Sequence, residues 1–146
     1  MAKMDMMTKI GSWAFLFGIL IALLVGLYNA WTLEAAMEDM TKTADIFFTT
    51  EAGGAVAWVL AILGIIIGLL AVLGRGTITR KEIPGFLFAG IALVVMGGVF
   101  QGASVAALKP WIGSLLSSIS FSLSIFVAPA VGILAIKAIW DMGKDV

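Results

Sequence analysis

GGAVAWVLAILGIIIGLLAVLGRGTITRKEIPGFLFAGIALVVMGGVFQGASVAA, residues 53–107, decides the fold. Two apolar runs are joined here by one short cationic turn, Gly74-Arg75-Gly76-Thr77-Ile78-Thr79-Arg80-Lys81-Glu82-Ile83-Pro84. Gly74 and Gly76 suit the end of one helix. Pro84 suits the first turn of the next, where its missing N–H costs nothing. Runs of roughly 22–25 residues at 1.5 Å rise give helices of about 33–38 Å, enough to cross a hydrocarbon core of about 30 Å with some tilt.

Working outward, two further runs of this kind flank the pair. The spans expected are approximately 11–33, 52–73, 84–108 and 111–137. The fold class is therefore all-α, a single membrane domain built as a four-helix transmembrane bundle. The first run follows Lys3 and Lys9, as a signal peptide would. Its apolar core exceeds the usual length of about 7–15 residues, and Tyr28 occupies a place where cleavage needs a small side chain. A retained helix is the reading adopted. Between the first two runs lies the polar segment 34–51, with Glu34, Glu38, Asp39, Lys42, Asp45 and Glu51. Met37, Met40, Ala44 and Phe47 recur there at steps of three and four, a helical period with one apolar face. Thr49-Thr50-Glu51 forms a helix N-cap with an acid in the first turn.

Composition agrees. The 146 residues are 62% hydrophobic and 12% charged, with a mean hydropathy of +1.13; a soluble domain carries about 25% charged residues. Orientation follows from Lys and Arg. Seven of the nine fall on the side of the termini and the 74–83 turn, where Arg75, Arg80 and Lys81 cluster. The positive-inside rule places that side, with the N and C termini, in the cytoplasm and segment 34–51 outside. Trp13, Trp31, Trp58, Trp111 and Trp140 stand near run ends, where indoles anchor at headgroups.

Within lipid, close helix packing relies on small residues. Ala14, Gly18, Ala22, Gly26 and Ala30 draw a stripe along the first span. Gly64 and Gly68 form a GxxxG in the second. Gly98, Gly102 and Ala106 repeat at steps of four in the third. The fourth span carries Ser114, Ser117, Ser118, Ser120, Ser122 and Ser124, with Ser114, Ser118 and Ser122 on one face. These hydroxyls act either as interhelical glue, bonding a carbonyl one turn back or a neighbouring helix, or as the lining of a wet path. Gln101 is the one amide deep in a span and a candidate partner for that face. Pro129 removes one helical hydrogen bond and is expected to kink or loosen the fourth helix.

Several function classes are disfavoured. With no Cys and no His, thiol chemistry, Cys/His zinc sites and the common haem ligands are excluded. The serines have no histidine to activate them. No catalytic, metal or cofactor residue is assigned, and no phosphate-cradling Gly loop is recognisable. No charge falls at mid-membrane, where proton relays and ion-coupled transporters carry theirs. A net charge of zero gives no reason to expect direct nucleic-acid binding. What remains is a non-enzymatic structural or assembly subunit. Its expected partners are membrane lipids and either further copies of itself or other membrane subunits.

Residues 53–107 also resemble the conjugative pilin family of type IV secretion systems. The likeness is carried by Gly64, Gly68, Gly74-Arg75-Gly76, Arg80-Lys81 and Gly97-Gly98. It implies a filament whose lumen is lined by the basic turn and conducts DNA or protein. The first span and the Ser-rich fourth span depart from that pattern. A pilin-like or pore-forming subunit is the alternative to the scaffold.

Overall fold

The second helix shows how local sequence sets the element boundaries. The Thr50 hydroxyl donates to the carbonyl of Phe47 at 2.6 Å and accepts the N–H of Gly53 at 3.1 Å. Thr50 itself is extended, with φ −79° and ψ 155°, and Glu51 opens the first helical turn. This is an N-cap that satisfies one of the orphan donors of the helix start. A β-carbon at Gly53 would overlap the Phe47 carbonyl, so the cap needs glycine there. At the far end the chain leaves the helix through Gly74, whose φ of 68° other residues rarely adopt.

The computed structural model describes residues 2–35, 47–74, 78, 81–100 and 112–144. Four helices account for 92% of these residues, and no strand occurs among them. They are α1 (Ala2–Ala35), α2 (Glu51–Val72), α3 (Ile83–Phe100) and α4 (Ile112–Lys144). Three are long and apolar enough to cross a membrane, over Lys9–Thr32, Glu51–Val72 and Ile112–Lys144. The apolar stretch of α3, Ile83–Val99, is shorter. Segment 36–46, with its expected amphipathic period, lies outside the described residues.

Two helices run beyond the expected spans. The polar head before Gly11 is part of α1, and the polar tail after Lys137 is part of α4. Neither stretch holds a proline that would stop a helix. In the tail, Lys137 and Asp141 pair one turn apart at 3.0 Å. Pro129 does not end α4, which continues through it.

The bundle is built around α4. It packs against α1, α2 and α3, and α1 also meets α2; among the described residues the backbone of α3 comes close to that of α4 alone. Among the described residues, α2 and α3 thus approach α4 closely and not each other. Contact order along the chain gives the directions. Gly18 meets Phe126 and Gly26 meets Ile119, so α1 is antiparallel to α4. Gly64 meets Phe126 and Gly68 meets Ala130, so α2 is parallel to it. Gly90 meets Val131 and Gly97 meets Phe121, so α3 is antiparallel.

Size sorts inside from outside in the sense expected for lipid. The interior holds Gly18, Ala22, Gly26, Ala30, Gly64, Gly68 and the serines of α4, with few large side chains, chiefly Leu60, Ile67, Phe126 and Leu134. The exterior is Leu16, Leu20, Leu24, Val59, Ile62, Leu69, Phe88, Ile91, Val95 and their neighbours. In water such a surface would be one continuous apolar patch. In a bilayer small buried residues allow close helix approach, while large ones meet acyl chains.

Candidate functional site

The glycines of three helices converge on one turn of α4. Phe126 is 1% exposed. A β-carbon at Gly18 would overlap its ring, and one at Gly64 would overlap its carbonyl oxygen. One turn on, a β-carbon at Gly68 would lie 2.9 Å from the Cα of Ala130, and one at Gly90 would overlap Val131. The Phe126 ring also stands 6.1 Å from that of Phe15, which in turn stands 6.1 Å from Phe86 of α3. Rings therefore link α1, α3 and α4, although among the described residues the backbones of α1 and α3 do not come close.

Above this clasp, toward the N-terminus of α4, lies the polar part of the core. Ser114, Ser117, Ser118, Ser120 and Ser122 are each at most 2% exposed. Gly26 allows the closest approach: a β-carbon there would lie 2.8 Å from the Cα of Ile119 and 3.1 Å from the carbonyl oxygen of Ser118. At the same end the Phe48 and Phe121 rings lie tilted with centroids 5.4 Å apart, and Tyr28 meets Phe47 edge-to-face at 5.3 Å. The turn before α2 is thereby fixed to both α1 and α4.

The hydroxyls do not all behave as glue. Ser124 donates to the carbonyl of Ser120 at 2.7 Å, one turn back. Ser118 and Ser122 are fully buried, yet their Oγ atoms have no hydrogen-bond partner among the described residues. Ser114 is buried on the same face. The serine face thus mixes a satisfied hydroxyl with two that are not.

The expected packing residues divide. Gly18, Ala22, Gly26 and Ala30 of α1 and Gly64 and Gly68 of α2 are buried, and Ala14 is half-buried. Within this chain Gly98 is exposed, and a β-carbon there would meet nothing within 4 Å. The close approach of α3 falls at Gly90, and Gly97, seven residues on along the same face, is buried in ordinary contact with α4. Gly102, Ala106, Gln101, Arg75 and Arg80 lie outside the described residues. Lys81 is described and exposed.

Sequence reasoning missed Asn29. It is 0% exposed. It follows Gly26 by three residues and precedes Ala30, so it belongs to the small-residue stripe by helical spacing. The antiparallel register that sets Gly26 against Ser118 carries Asn29 to the level of Ser114. An amide on a packing face was the available signal.

The same registers align the basic residues at the other end. Lys9 of α1, Lys81 before α3 and Lys137 of α4 fall near one level, beside the Gly74 turn that ends α2. Lys9 and Lys81 are exposed. Among the described residues no group of three or more Asp, Glu, His or Cys side chains could hold a metal ion. Comparison with known proteins finds no family model, no curated protein and no solved structure that matches the chain.

Proposed function

We propose that this chain is a non-enzymatic, four-span subunit of the cytoplasmic membrane that acts as a structural or assembly component of an oligomeric complex. In this reading both termini and the 74–83 turn face the cytoplasm. The observation that carries it is the burial of the α4 serines beneath three surrounding helices. A monomer sealed in this way offers water no route along its hydroxyls and presents lipid-facing apolar sides to its neighbours. The orientation rests on the seven Lys and Arg of one side against two of the other, and on Lys9, Lys81 and Lys137 falling at one level.

Mass measurement of the protein extracted in mild detergent tests the assembly. A discrete oligomer or hetero-complex supports it, and a bare monomer in native membranes removes it. The orientation is tested separately by cysteine labelling. Thr43→Cys reacts with an impermeant thiol reagent from outside, and Thr77→Cys does not; the reverse pattern overturns the sidedness.

A pore-forming or pilin-like subunit is the second reading. The unpartnered hydroxyls of Ser118 and Ser122 favour it, since polar groups buried without partners cost stability that a wet environment would return. Within one copy those hydroxyls are sealed, so a path would require rearrangement of α4 or polar groups from other copies. Steady ion currents from purified protein in liposomes would establish this reading over the first.

A further inference from the structure

The C-terminal end of α4 has an apolar face that the bundle does not use. Ile136, Ile139, Trp140 and Gly143 recur at steps of three and four and so share one side of the helix. With Lys144 they line a shallow groove of about 490 Å³. Ile136, Ile139 and Trp140 are all exposed there. Lys137 and Asp141 pair one turn apart at 3.0 Å, and helical spacing sets Lys144 on their side, at the edge of the apolar face. Lys144 is the cation that lines the groove. Its ammonium is folded back one turn, 6.0 Å from the centre of the Trp140 ring. That fold brings the charge toward the level of Lys9, Lys81 and Lys137, where the apolar exterior ends.

We propose that this groove binds an anionic phospholipid of the leaflet on the side of the termini. The acyl chain lies along Ile136 and Ile139 and against the indole of Trp140, and the headgroup phosphate accepts hydrogen bonds from the Lys144 ammonium. Three features select this occupant. The lining is almost wholly apolar, so a small hydrophilic anion would gain one contact and desolvate for the rest. Indoles settle at the headgroup level, where one edge is wet and the faces are not. Lys9 and Lys81 are exposed near the same level, and basic residues at the headgroups favour anionic lipids over zwitterionic ones. The inference rests on the membrane reading above.

The test uses the full chain in phosphatidylcholine vesicles and follows Trp140 emission as the difference between the protein and its Trp140→Phe variant. A minor fraction of brominated phosphatidylglycerol quenches this emission more than the same fraction of brominated phosphatidylcholine, with an apparent preference of about five-fold for one lysine at a headgroup. Lys144→Gln brings the two lipids to near equality and leaves quenching by brominated phosphatidylcholine unchanged. Soluble glycerol phosphate does not erase the preference. Equal quenching in the unaltered protein, or a preference that survives Lys144→Gln, overturns the site. Loss of the preference to glycerol phosphate overturns a lipid as the occupant. Absence of quenching by either lipid overturns the membrane reading together with the site, so the two failures are distinct.

Discussion

Alanine at Gly18 and alanine at Gly64 meet the same residue of α4 in different ways, and the difference is measurable. At Gly18 the new β-carbon overlaps the Cε2 and Cζ atoms of the Phe126 ring; at Gly64 it overlaps the Phe126 carbonyl oxygen and lies 3.2 Å from the carbonyl carbon. Each single substitution forces overpacking and is expected to cost about 1–3 kcal/mol. Phe126→Leu removes the two ring atoms that obstruct Gly18→Ala but leaves the backbone that obstructs Gly64→Ala. A double-mutant cycle therefore gives a favourable coupling of about 1–2 kcal/mol for the Gly18/Phe126 pair. For the Gly64/Phe126 pair the coupling stays below about 0.5 kcal/mol, because α2 must still move bodily away from α4. Stability is followed by circular dichroism during titration from mild detergent into dodecyl sulfate. Equal coupling in the two cycles would refute the packing of α1 and α2 on α4 derived above.

Other outcomes follow from single contacts. Gly98→Ala meets open space and is expected to leave stability unchanged or raise it by up to about 1 kcal/mol through helix propensity; a loss in the same titration would show that α3 packs through Gly98 after all. Thr50→Ala removes the bond to the Gly53 N–H and should cost about 1 kcal/mol, with faster amide exchange confined to the first turn of α2. Ser124→Ala forfeits its bond to the Ser120 carbonyl, worth about 0.6 kcal/mol in a membrane bundle. Ser118→Ala with Ser122→Ala removes two unpartnered hydroxyls and should cost less than Ser124→Ala alone, or stabilise; a larger loss in thermal melts would mean those hydroxyls are bonded.

Much of this arrangement was legible in the sequence because lipid imposes strong rules. The turn at Gly74, the cap at Thr50 and the starts of α2 and α3 follow from glycine, threonine and proline chemistry acting within one or two turns. Gly18, Gly26, Gly64 and Gly68 were visible as periodic small residues. The identity of the central helix was not. In the interior of a water-soluble bundle the buried face stands out as apolar against polar, whereas here both faces of α2 and α3 are apolar and only side-chain size distinguishes them. The serines marked α4 as unusual, but burial and pore lining leave the same spacing. Gly98 was favoured over Gly97 by its repeat with Gly102, although the turn that meets α4 is set by Gly90 and Gly97. The helical ends of α1 and α4 were underestimated because charge was taken to end them, while Lys137 and Asp141 support a continuing helix.

The serine face of α4 is sealed from water by the three helices around it. The chain has no native cysteine, so Ser118→Cys provides a unique probe at a position that is 0% exposed. The measurement is its rate of reaction with a water-soluble maleimide in proteoliposomes, against the rate after unfolding in dodecyl sulfate. No labelling is expected in the bilayer and complete labelling once the protein is unfolded. Rapid labelling in the intact bilayer would contradict this and make the serine face of α4 a water-filled path.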